Sequence, residues 1–178
     1  MRPPMFLLAP LALLACSDEP EAPITPTTEQ TEPVAPAPTA SASDSATTGG
    51  DGSQIRLTTL TAADREAHPL EGELGCSFTQ GEDVLLVAMG NVADESGHAQ
   101  GLAKIGDYSE RLLAQETGGF DGLPDGAVFS GKGMTFTVTR TSETPVGEGE
   151  SLPYPADLLL QRTDGAERTI AGRWTCGP

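Results

Sequence analysis

The sequence predicts a mainly β domain, a small antiparallel barrel or sandwich with one short N-terminal helix, following a disordered linker. Three observations point there. From Leu74 onward, roughly seven or eight short strand-like runs are separated by turn residues, the spacing of a barrel or sandwich. In one of them Met134, Phe136 and Val138 alternate with Thr135, Thr137 and Thr139, the period of a strand buried on one face. Cys76 and Cys176 fall on the first and last of these runs, where a bond between them would join the two ends of a sheet.

The chain opens MRPPMFLLAPLALLAC, with Arg2 ahead of an apolar run from Met5 to Ala15. That run is well short of the roughly 20 apolar residues a membrane-spanning helix requires, and it has the form of a signal-peptide core. Leu13-Leu14-Ala15-Cys16 resembles the lipobox of bacterial lipoproteins. The resemblance implies a signal peptide over 1–15, cleavage after Ala15 and diacylglyceryl transfer to the Cys16 sulfur. Buried acyl chains contribute about 0.8 kcal/mol per methylene, so two or three of them hold a protein on a membrane. Ser17 at the second mature position resembles lipoproteins sorted to the outer membrane, which implies a periplasm-facing envelope protein.

Residues 16–53 are read as the lipidated cysteine and a linker of Pro, Thr, Ser, Ala, Gly and acidic residues. With Ile24 and Val34 almost its sole large apolar side chains, this stretch cannot offset the entropy of ordering. Its prolines stiffen it into a spacer. The β domain is assigned to 54–178. Over the whole chain 26 acidic residues stand against 10 basic ones, with no basic cluster, which argues against nucleic acid as a partner and otherwise reads as a solvated surface.

Within the domain, Thr61-Ala62-Ala63-Asp64 has the pattern of a capping box, and Pro69 ends the helix at Ala67 or His68. Leu74, Cys76 and Phe78 alternate with smaller residues, and Val84–Met89 is an uninterrupted apolar strand after a turn at 79–83. A turn over 91–97 leads to a hairpin of 100–105 and 108–115 around Gly106-Asp107. The Gly-rich stretch 118–126 is a loop, followed by strands at 127–130 and 134–139. Composition makes 141–154 a loop, and Asp164-Gly165 sets a hairpin between 157–162 and 168–175.

With Cys16 assigned to lipid, Cys76 and Cys176 form an even pair in an oxidising compartment. The default is a disulfide, and the alternative is two free or metal-binding thiols. Trp174 shares a face with Ile170 and Cys176 and is placed in the core beside the pair. His68 and His98 belong to no metal motif of known spacing, whether or not Asp94 or Glu95 is added. Asp121 and Asp125 lie in a Gly-rich loop that lacks the alternating oxygen ligands of an EF-hand, and turn chemistry accounts for them. Glu148 and Glu150 occupy a loop with no apolar surroundings to shift a pKa. Neither a Gly-x-Ser-x-Gly elbow nor a Cys-x-x-Cys pair is present. No catalytic constellation, cofactor or metal site is assigned.

The outline of an acylated, disulfide-closed small β domain is similar to the membrane-bound inhibitors of C-type lysozyme. Phe129-Ser130-Gly131-Lys132-Gly133 resembles their inhibitory loops, in which Ser and Lys enter the enzyme's cleft, so Ser130 and Lys132 become weak binding-loop candidates. The sequence departs from that pattern after Ser130-Gly131, where Lys132-Gly133-Met134 stands and no Tyr follows. Three functions are therefore expected, in this order. The first is a non-catalytic envelope module contacting another envelope protein or the cell wall. The second is an inhibitor or ligand binder using the barrel mouth or the Gly-rich loop. The third is an unrecognised enzyme or metal protein.

Overall fold

A computed structural model describes residues 45–147 and 149–178. The elements are β1 (Leu57–Thr58), α1 (Ala62–Ala67), β2 (Leu74–Gln80), β3 (Asp83–Gly90), β4 (His98–Ile105), β5 (Tyr108–Thr117), β6 (Val128–Gly131), β7 (Met134–Arg140), β8 (Pro153–Arg162) and β9 (Glu167–Gly177). Strands β2 to β9 pair antiparallel, each with the next in sequence, and β9 returns to β2, with Cys76 opposite Cys176 and Phe78 opposite Trp174. The result is a closed eight-stranded antiparallel barrel, so of barrel and sandwich the first is realised. Closure removes free sheet edges.

A barrel of eight strands is just wide enough for side chains to fill it. Phe78, Leu86, Phe129, Phe136, Leu158, Leu160, Ile170 and Trp174 do so, each almost wholly buried. The strict alternation foreseen for β7 holds, with Met134, Phe136 and Val138 inside. A register shift between β2 and β3 leaves Leu85 without an opposite residue, and both Leu85 and Leu86 join the core.

Up-and-down connection puts the four tight turns at one end and the longer loops at the other. Ile55 enters the core beside the tight turns, its carbonyl accepting from Arg168 Nη1 at 2.6 Å. At the loop end Leu123, from the Gly-rich loop, is buried, and its carbonyl accepts from Trp174 Nε1 at 2.8 Å. That bond satisfies the indole's polar group within the core.

Two boundaries depart from expectation. Residues 45–53, assigned to the linker, run against the domain: Thr48 bridges to Glu167, the Ser45 amide donates to the Thr169 carbonyl at 3.0 Å, and Asp51 pairs with Arg162 at 2.7 Å. Backbone pairing and ion pairs hold them, neither of which a polar composition announces. Strand β8 begins at Pro153 rather than at Asp157. The Pro153 and Pro155 carbonyls accept from the Val146 and Thr141 amides, so both residues face the 141–152 loop, a position where no ladder N–H is required of them.

Candidate functional site

The side chains singled out from sequence are dispersed over the fold. Cys76 and Cys176 are brought together, with sulfurs 2.05 Å apart, at disulfide distance, across the closing β2–β9 seam. Trp174 lies beside them in the core. Ser130 sits on β6, where its hydroxyl accepts from Gln115 Nε2 at 2.7 Å. Lys132 occupies a two-residue turn between β6 and β7, with positive φ at both Lys132 and Gly133, and its ammonium lies 3.0 Å from Glu110. Ser130 is therefore a wall residue and Lys132 covers a buried carboxylate at the tight-turn end. The Lys132 side chain is largely exposed at that turn. Cys16 and Glu148 lie outside the described residues.

The histidines have separate settings. His98 Nδ1 lies 2.9 Å from the Ala114 carbonyl at the head of the β4–β5 pair, and His68 caps the C-terminus of α1. The acidic residues of the loops are engaged in turn chemistry. Asp94 accepts from the Gly97 amide at 2.8 Å, Asp121 from the Ala93 amide at 3.0 Å, and Asp125 pairs with Arg140 at 2.9 Å. Among the described residues no group of three or more His, Cys, Asp or Glu side chains is placed to hold a metal ion. None of their helices is long and apolar enough to cross a membrane.

What sequence reasoning missed is on the outside of the barrel. A pocket of about 480 Å³ lies between α1 with the segment after it and the outer faces of β9, β2, β3 and β4. Outward-facing Gly75, Ser77 and Thr175 pave it, half-buried Val87 and Met89 form one flank, and Leu70 closes over it. Arg65 and His68 stand on its α1 side. Beneath it Leu102 is fully buried although it points away from the barrel core, because it pairs with outward-facing Val87.

The helix that roofs this groove is positioned by its own N-terminus. Thr61 and Asp64 form both halves of the foreseen capping box, at 2.9 and 3.2 Å. Asp64 then reaches the wall, accepting from Lys104 Nζ at 2.9 Å and from the Ser109 hydroxyl at 3.1 Å. Hydrogen bonds from the Thr61 hydroxyl and amide, and then from Lys104, hold the Asp64 carboxyl well below the usual carboxylate range. Arg111 Nη2 ties the following segment down by donating to the Pro69 carbonyl at 2.6 Å. One sequence signal pointed here. Val84–Met89 is apolar without alternation, the mark of a strand covered on both faces.

The fold and site define a disulfide-closed, eight-stranded barrel with a filled interior and a groove on its outer wall. Compared with protein-family models, with curated proteins and with solved structures, the chain matches none of them.

Proposed function

We propose that the protein is a lipid-anchored module of a bacterial cell envelope. In this reading Cys16 carries the acyl chains, residues following it space the barrel from a membrane, most simply the periplasmic face of the outer membrane, and the domain acts without catalysis as a contact surface for an envelope protein or the cell wall. The lipobox-like Leu13-Leu14-Ala15-Cys16 supports the anchor. The filled barrel supports the contact role. With Phe78, Phe129, Phe136 and Trp174 occupying the interior, and Ile55 and Leu123 buried at its two ends, recognition falls to the outer surface.

Membrane fractionation with metabolic palmitate labelling tests the anchor. The native chain should sediment with membranes and take up label, and Cys16→Ala should abolish both. A Cys16→Ala protein that stays on membranes would overturn the reading. Crosslinking in intact envelopes tests the contact role: a discrete larger species formed through the domain is expected, and monomer alone at every crosslinker dose would contradict it.

A further inference from the structure

The outer-wall groove departs from the rest of the surface in charge as well as in polarity. The chain carries a net charge of −16, yet no Asp or Glu side chain lines this groove; its ionisable side chains are those of Arg65 and His68, and Pro178, the last residue of the sequence, is also part of its lining. The carboxylate nearest in sequence, Asp64, is turned away to Lys104 and Ser109. Arg65 is exposed on α1, and its guanidinium has no hydrogen-bond or ion-pair partner among the described residues. Four other cations of the domain are neutralised by carboxylates: Lys104 by Asp64, Lys132 by Glu110, Arg140 by Asp125 and Glu143, and Arg162 by Asp51 and Asp164; exposed Arg56 and Arg173 have no such ion pair among the described residues, but neither lines this groove. An unpaired arginine at the rim of a groove with apolar flanks and no acidic side chain in its lining is complementary to one kind of ligand.

We propose that this groove binds a single-chain amphipathic anion of the fatty-acid class. The apolar chain lies along Leu70, Val87 and Met89, and the carboxylate meets Arg65, with His68 beside it. A volume of about 480 Å³ falls within the ~300–1,000 Å³ typical of small-molecule sites. A ligand seated there would complete the cover over the half-buried Val87 and Met89, and a charge-assisted hydrogen bond to the guanidinium would fix its direction. This site is separate from the acyl anchor and does not depend on it.

The test is titration of dodecanoate, below its micellar concentration, into the full chain kept unacylated by Cys16→Ala. Calorimetry and methyl NMR are the readouts. Saturable binding at one site is expected, with shifts concentrated at Leu70, Val87 and Met89. Dodecyltrimethylammonium, with the same chain and the opposite charge, should bind about tenfold more weakly or worse. Arg65→Glu should weaken dodecanoate by about tenfold or more, the scale of one charge-assisted contact, at an unchanged melting temperature. Arg65→Gln serves if the reversed charge disturbs α1. Equal affinity for the two head groups, shifts elsewhere on the barrel, an unaffected Arg65 variant or no saturable binding would each overturn the proposal. Since the titration is done in solution, its failure leaves the anchor reading to be judged by fractionation.

Discussion

Strands β3 and β7 run in the same barrel and spend their side chains differently. In β7, Met134, Phe136 and Val138 fill the interior while Thr135, Thr137 and Thr139 face outward, the last of them exposed. In β3, Leu85, Leu86 and Ala88 go inside, and outward-facing Val87 and Met89 are half-buried. Neighbouring β4 carries the same feature further, with Leu102 buried on its outer face. The barrel therefore has a bare wall and a covered wall. On the bare wall apolar contact is made once, with the core. On the covered wall it is made twice, and the second contact is incomplete, which is why a groove remains there.

Breaking the seam beneath the groove should have the largest effect. Replacing Cys76 and Cys176 by Ser removes a link between residues 100 positions apart, for which the chain-entropy model gives about 4–5 kcal/mol. Urea denaturation should show that loss with the same fold in native buffer, and a midpoint unchanged by the double substitution or by reductant would contradict a joined seam.

The two walls themselves are compared by substitution at matched positions. Phe136→Ala should cost about 3–5 kcal/mol as a core truncation, whichever wall carries it. On the outer faces the walls should diverge. Val87→Ser should cost about 1 kcal/mol through lost apolar burial, whereas Thr139→Ala should stay within about 0.5 kcal/mol. Equal, near-zero costs at Val87 and Thr139 would erase the distinction between covered and bare.

The roof is tested next. Thr61→Ala removes the side-chain cap of α1 and should cost about 1 kcal/mol. Faster amide exchange in α1, with the barrel amides unchanged, would place the loss in the cover rather than the core.

The smallest effect is in the pH dependence. The Asp64 carboxyl is held low by Thr61 and then Lys104, so its contribution to stability is fully present above the ordinary carboxylate pKa of about 4 and is lost only as pH falls through its lower folded value. The NMR signals of the Asp64 carboxyl should accordingly be flat between neutral pH and about pH 4. An Asp64 that titrates near 4 would show that the roof is not tied to the wall. Asp164 should behave alike, because its carboxyl is held low chiefly by the hydrogen bond from Arg162.

Much of the barrel could be read directly from local patterns. The capping box at Thr61, the alternation at Met134–Val138, the hairpins at Gly106 and Gly165 and the turn at 91–97 each depend on residues within a few positions of one another. The start of β8 escaped because Pro153 and Pro155 look like loop residues until the side they face is known. Residues 45–53 escaped because a backbone pairing to Thr169 and Glu167 leaves no trace in side-chain composition. The groove was legible only through the apolar run Val84–Met89, which lacks the alternation of a strand covered on one face.

Sequence alone determined the periodicities, the turns, the helix cap and the even pair of cysteines, since each follows from backbone geometry or covalent chemistry acting over short range or by counting. Tertiary structure decided barrel over sandwich, through the β2–β9 seam between segments 100 positions apart. It also decided which wall α1 covers and that Arg65 stands at a groove floored by Gly75, Ser77 and Thr175 and flanked by Val87 and Met89. Those outcomes depend on which distant faces meet, and no local pattern encodes the partner of a face.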